Sequence, residues 1–432
     1  SEIFLLRPVK VLSSNLEDKF PNIKTYKGIS KTRPNISVRI SKTGLGINAW
    51  MRFPNGINRF IQPLETKSDY ISYPRYSRPI SKNFECTTSI DQSWKKTDTL
   101  INDKKSLRTS DESLKTFRLA ISTSGGYTNF WGDDDPTNGS NLEDAYGAVV
   151  STINRVNEIF ENELGIHLEL VSGLELIYPD SDTDPYTDDF GNEAQSTIDE
   201  VFGSENYDIG HLFAYSTSNG GGNAGNVGNV CVENKKGSAY SYHPFRGTLD
   251  DPFLSDHFDI DYIAHEMGHQ FGAFHTFSYE NEFEGVSSEP GSGSTIMGYA
   301  GIVGSNNVQS HSDPYFHYHS INNIQEYVNT KTCYSSTLNE NKVPTVNAGE
   351  DYNIPSGTPY ELKAISTDID NDQLYYCWEQ LDSGEVNTNN FGPNYHIGSQ
   401  ARSLPPTINP LRTIPSIDRI LEGQLTEINP TI

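Results

Sequence analysis

No run of about 18 apolar residues occurs anywhere in the 432-residue chain, which excludes an ordinary membrane-spanning helix. The chain opens at Ser1 with no basic start leading into an apolar core, so any signal peptide is expected to be already absent from this form. Methionine and cysteine are scarce, at three and four, and four cysteines permit three pairings. Histidine is missing altogether from residues 1 to 110, so that segment brings no imidazole metal ligand. Basic charge is scarce beyond residue 110, where 12 Lys and Arg face 48 Asp and Glu, whereas residues 1 to 110 hold 20 against 9. The front segment is therefore +11 and the remainder −36. Its basic residues are dispersed among apolar stretches and form no dense block, which argues against a nucleic-acid surface. They fit a segment whose field complements an acidic body that it covers. The length suggests two or three domains.

What is present is concentrated in "DYIAHEMGHQFGAFHTF", residues 261 to 277. His265 and His269 are four apart, one turn along a helix on one face, with Glu266 beside them. Two imidazoles so spaced can hold one zinc ion and place the adjacent carboxylate at its open position. Gly272 falls where a residue able to take a positive φ can end the helix and turn the chain back. His275 then reaches the metal from below. Three neutral imidazoles leave a fourth position for water, the arrangement of a catalytic zinc. A helix carrying satisfied core histidines is the alternative, which the full His-Glu-x-x-His-x-x-Gly-x-x-His pattern disfavours.

Downstream, "GSTIMGYAG" (293 to 301) sets Met297 among small turn-forming residues. The extended zinc motif followed by a methionine turn resembles the metzincin clan of zinc endopeptidases. With "ENYDIGHLF" and "GGGNAGNVGNVC", the chain most resembles the bacterial reprolysin-like branch, related to the adamalysins, over roughly residues 114 to 335. Adamalysins follow the third histidine with aspartate, whereas Thr276 stands here, so the carboxylate that would tie the motif to the methionine turn is expected to be absent. Tyr299 stands where other metzincins place a tyrosine touching the metal or the oxyanion; the alternative is a ring lining the substrate pocket. The resemblance also implies a Cys231–Cys333 disulfide, which suits an oxidising, extracellular setting. Cys86 and Cys377 would be single.

Residues 1 to 110 alternate apolar and polar and are read as a β-rich unit that resembles a propeptide, an intramolecular inhibitor ahead of its protease. "NFECTTS" places Cys86 in an extended stretch before a charged segment, 104 to 115, expected to be an exposed linker. Cys86 is either a zymogen latch, its thiolate filling the fourth zinc position, or a buried thiol. Residues 111 to 336 are expected to form the catalytic unit, a mixed, mostly parallel sheet over the zinc helix. "KTFRLAIST", "IHLELVSG" and "YDIGHLFAY" are its strands and "STIDEVFG" is helical, while Val149, Ile153, Val156 and Phe160 make the apolar stripe of a longer helix. Ala224 to Val230 is expected to be the edge strand, binding substrate by strand addition. Outside the motif, His211, His243, His311, His317 and His319 show no ligand spacing and are read as surface or hydrogen-bonded.

After a polar linker, residues 343 to 432 resemble polycystic-kidney-disease and immunoglobulin-like modules, an all-β sandwich without a clear last strand, with Trp378 expected in its core and Cys377 expected to be a free thiol. Asp368, Asp370 and Asp372 either hold calcium or cap a turn, and the acidic loop 178 to 193 is read as solvated. The expected activity is zinc-dependent hydrolysis of internal peptide bonds by a secreted zymogen, with Glu266 as general base and Met297 as an apolar floor. The rival readings are an adhesion or binding protein on a silent protease scaffold, which the intact Glu266 opposes, and a zinc amidase for small molecules.

Overall fold

The alternation in the first 75 residues resolves into six strands, β1 (Phe4–Pro8), β2 (Lys24–Ser30), β3 (Ser37–Thr43), β4 (Gly46–Arg52), β5 (Asn58–Pro63) and β6 (Tyr70–Pro74), paired antiparallel in chain order. A computed structural model describes residues 2–64, 69–75, 84–88, 112–247, 252–282, 285–339, 341–392 and 394–424. A short helix, α1 (Ser14–Lys19), separates β1 from β2. Trp50, Phe60 and Tyr73 face one another across β4 to β6 with ring centroids 5.4 and 5.9 Å apart. This aromatic face meets the next unit, where the guanidinium of Arg155 lies 5.2 Å over the Phe60 ring.

The following unit has the expected mixed sheet. Its strands are β7 (Phe84–Cys86), β8 (Ser113–Thr123), β9 (Ile166–Leu170), β10 (Ile209–Tyr215), β11 (Gly220–Asn223), β12 (Ala239–His243) and β13 (Ser335–Leu338). They order β13-β8-β10-β12-β11-β7, with β9 parallel to β8. Only the β11–β12 and β13–β8 pairs are antiparallel. Helices α2 (Gly125–Trp131), α3 (Asn141–Leu164) and α4 (Phe190–Val201) accompany the sheet. A Ser140/Glu143 capping box opens α3, and Val149, Ile153, Val156 and Phe160 along it are all at most 1% exposed. The one-turn α5 (Ser255–His257) and a π-helical stretch, Phe258–Ala264, lead into α6 (His265–Gln270), and α7 (Tyr318–Val328) follows the methionine turn.

Three expectations are corrected. The strand in that place is β11, Gly220–Asn223, which would be the sheet's edge but for β7 paired on it; residues 224 to 230 form turns whose amides at Gly228, Asn229 and Val230 donate to His269 and Gln270 carbonyls. The polar "SSTL" after Cys333 is no linker but β13, paired on β8. The C-terminal residues form two separate two-stranded ladders where a sandwich was expected, β14 (Thr345–Asn347) with β16 (Ile365–Thr367) and β15 (Tyr360–Lys363) with β17 (Leu411–Ile414). Part of that segment packs back on the preceding unit: Val386, fully buried, donates to Ser278 O at 2.7 Å and accepts from Gly291 N at 2.9 Å. Trp378 is only half-buried, its indole bonded to Pro410 O, and Cys377 is a free thiol. The charged linker lies, through residue 111, outside the described residues.

The charge asymmetry is realised as ion pairs. Lys10 meets Glu169, Lys27 and Arg52 meet Glu158, Arg39 meets Glu158 and Glu161, and Arg75 meets Asp256 and Asp261. Arg39 and Arg75 are each 2% exposed, so two cations of the front unit are buried in acidic recesses of the next. Burial raises the carboxyls' proton affinity, but Lys27 and Arg39 hold Glu158 below its ordinary range, and Arg75 does the same for Asp261. Among the described residues no helix is long and apolar enough to cross a membrane.

Candidate metal centre

His265 and His269 sit one turn apart on α6, both 1% exposed. The helix ends as expected at Gly272, whose φ of 101° is a conformation L side chains rarely adopt. The Gly272 and Ala273 amides close the turn on His269 O and Gly268 O. The reversal brings His275 Nε2 to 2.9 Å from His269 Nε2 and 3.3 Å from His265 Nε2.

The outer nitrogens decide the protonation of these rings. His265 Nδ1 lies 2.7 Å from Ile296 O, His269 Nδ1 2.8 Å from Ala273 O, and His275 Nδ1 2.6 Å from Glu282 Oε2. Carbonyl and carboxylate oxygens only accept, so each Nδ1 carries the hydrogen and donates it. With neutral rings, the three Nε2 atoms turn their lone pairs on one another, an arrangement that a cation between them would relieve. Burial also favours neutral rings, pushing His265 down to about 3 and His269 well below its usual range. Three convergent neutral imidazoles, each oriented by an outer acceptor, fit a zinc ion.

Glu266 is fully buried, and burial pushes its carboxyl up to about 8. Gly222 on β11 allows the sheet edge to lie directly over it, since a Cβ there would come 2.5 Å from Glu266 Oε1. The edge itself is occupied. Strand β7 pairs parallel with β11, matching Gly220 to Phe84 and Gly222 to Cys86. Thr88 Oγ1 then donates to Glu266 Oε2 at 2.9 Å, and Asn223 Nδ2 donates to Thr87 O at 2.6 Å. Cys86 Sγ lies 3.7 Å from His269 Nε2, and the ligand atoms of Cys86, His265, His269 and His275 are all within 4.8 Å of one another.

Met297 is fully buried beneath the histidines, its sulfur against Gly268. Tyr299 stacks around the third ligand, its ring 4.5 Å from those of His275 and Phe277, with its hydroxyl beside Cys86. Burial raises that hydroxyl's proton affinity, which leaves it a neutral donor at the rim of the site.

The expected loss of the carboxylate beside the third histidine is corrected by Glu289, which the sequence reading missed. Thr276 Oγ1 donates to Glu289 Oε2 at 2.6 Å, as does Thr295 Oγ1. The amides of Ser294 and Thr295 donate to Oε1 at 2.9 and 3.1 Å. Thr276 N also donates to Met297 O at 3.1 Å. A threonine and a distant glutamate thus join the third-ligand loop to the methionine turn. Glu282 and Thr88 were likewise missed, as no spacing marks them.

His211, His243, His311, His317 and His319 are buried, which fits the hydrogen-bonded of the two readings and not the surface one. His211 bonds Gln270 and Ser241, His317 lies 3.8 Å from Glu379, and His243 Nδ1 accepts from Phe245 N. Asp368, Asp370 and Asp372 gather within 4.8 Å on a largely exposed turn. The disulfide is Cys231–Cys333, Cα atoms 6.2 Å apart, closing 102 residues.

Residues 113–338 match the model of metallo-peptidase family M12B, reprolysin-like. Among solved structures, metalloproteinase-II from Bacteroides fragilis is similar at 11% identity and a TM-score of 0.35, covering 74% of this chain and 86% of its own. No curated protein matches. Because the family's model spans more than half of the chain, the protein belongs to the reprolysin-like metallopeptidases of family M12B and is a zinc metalloendopeptidase.

Proposed function

We propose that the protein is a secreted endopeptidase made as a zymogen, cutting internal peptide bonds of protein substrates and kept latent by its own residues 1 to 110. The observation that carries this reading is the position of Cys86: a segment from the front of the chain lies along β11 and brings its thiol into the group of three histidines. The convergence of the three Nε2 atoms supports zinc as the metal, and the disulfide supports an oxidising compartment.

Zinc held by His265, His269 and His275 would activate water and polarise the scissile carbonyl. Everything else falls to the chain. The β11 backbone binds an extended peptide as an added strand, which makes recognition depend little on side chains. Glu266 takes the proton of the attacking water on its carboxylate and returns it to the leaving nitrogen. The neutral Tyr299 hydroxyl donates to the developing oxyanion. In the latent form Cys86 would serve as a further ligand of the zinc, Thr88 holds Glu266, and residues 84 to 88 lie along β11 where the peptide would bind. A thiolate there needs the metal, since burial and the nearby Glu266 otherwise keep the Cys86 thiol protonated.

Replacing Cys86 with serine tests the latch. The uncut full chain should then cleave an unfolded protein at least about tenfold faster than the uncut wild type, the effect of about 1.4 kcal/mol on the closed equilibrium. Equal latency in both, with zinc bound in both, would show that Cys86 is only a buried thiol.

A further inference from the structure

A second group of potential ligands lies at the other end of the helix that carries the catalytic histidines. His257, Asp261 and His311 offer ligand atoms within 4.8 Å of one another. His257 Nδ1 is 3.1 Å and His311 Nδ1 4.0 Å from the same oxygen, Asp261 Oδ2, and the two rings stand perpendicular with centroids 5.3 Å apart. None of the three belongs to the zinc motif.

A cation already sits on this group. The Arg75 guanidinium donates from Nη2 to Asp261 Oδ2 at 2.5 Å, from Nη1 to Asp256 Oδ2 at 2.9 Å and from Nε to Ser312 O at 2.7 Å. Its acceptors all come from the family-matched segment, so they stay behind whenever the front unit withdraws. Two carboxylates, 2% and 8% exposed, would then lose the charge that compensates them. An uncompensated buried pair of this kind is costly. Two imidazoles and one carboxylate form a donor set suited to Zn²⁺ or Co²⁺ rather than to Ca²⁺, with His257 Nδ1 releasing to water the hydrogen it now donates to Asp261 when it takes the metal.

We infer that His257, Asp261 and His311 make a second, zinc-type metal site, which Arg75 keeps closed in the full chain and which forms when Arg75 leaves. Guanidinium and metal are alternatives because both need Asp261 Oδ2. Asp261 precedes His265 by four residues, so a metal there would brace the helix one turn before the first catalytic ligand. Physiological opening rests on the zymogen reading above; the chemistry of the site does not, and it is tested without any cleavage.

The test uses the full chain with Arg75→Met, which keeps the stem's volume, and Arg75→Met combined with His311→Ala. Each is loaded with zinc, freed of excess and assayed for metal per chain; Co²⁺ absorption reports the coordination. Arg75→Met should hold one metal equivalent more than wild type, and His311→Ala should abolish that gain without removing the first equivalent. Equal metal content in wild type and Arg75→Met overturns the inference. Should Arg75→Met fold poorly, recovery on refolding with zinc, lost again with His311→Ala, supports the site. Failure of zinc to recover it counts against it.

Discussion

Replacing Glu266 with glutamine is expected to leave zinc bound and to lower peptide cleavage by about 10²–10⁴-fold, the usual contribution of a positioned general base. The two effects separate because Glu266 is not among the converging nitrogens. Its carboxyl is fully buried next to the converging histidines, under Gly222 of β11, where a peptide added along that strand would meet it. Glutamine keeps the shape and the bond from Thr88 but cannot accept the water's proton. The latent chain should therefore fold and load zinc as wild type does. Zinc content and the cleavage rate of the activated form check the prediction; comparable rates would remove Glu266 from the mechanism.

The second large effect is expected at a residue that touches neither metal nor substrate. Glu289 is 1% exposed and accepts from the Thr276 and Thr295 hydroxyls and from two amides. In Glu289→Ala those buried donors lose their acceptor, and each costs roughly 1–3 kcal/mol when unmet, so a loss of about 3 kcal/mol or more is expected. Zinc should also bind about 10–100-fold more weakly, because the loop that carries His275 loses its tie to the methionine turn. Denaturant unfolding and competition with a chelator measure the two effects. Glu289→Gln keeps half of the acceptors and should fall between alanine and wild type. An alanine variant with wild-type stability and metal affinity would mean that the Thr276–Met297 backbone bond alone suffices.

The metal site was legible in the sequence because its geometry is local. The positions of His265, His269, Gly272 and His275 need only helix pitch and one residue free to take positive φ. Val149, Ile153, Val156 and Phe160 were legible for the same reason. Arg75 was not, since it reaches Asp256 and Asp261 more than 180 residues away, and Glu289 was not, since its partners Thr276, Ser294 and Thr295 are brought to it by irregular turns and not by a repeating spacing. No period announces such a pairing.

The edge strand failed for a different reason. The three glycines of "GGGN" have no side chains to alternate, while Ala224, Val227 and Val230, three apart, are buried in a run of turns. Glycine there admits the close approach of the backbone to Glu266, so the functional requirement erased the strand's own signature. At the C-terminal end, Val386 and Ala401 are buried, and Val386 is spent against the loop after the third histidine rather than in a sandwich core. The fold of that segment is thus tied to the preceding unit in a way that its resemblance to a free-standing module did not suggest.

The most direct test of the central claim is a map of cuts, read by mass spectrometry, made in an unfolded protein by the activated enzyme with and without a zinc chelator. Internal cuts that vanish with chelator and return with zinc are the predicted result. Cuts that persist in a chain shown to be free of metal, or no cuts by a folded, zinc-loaded enzyme whose residues 84 to 88 have been removed from β11, would contradict it.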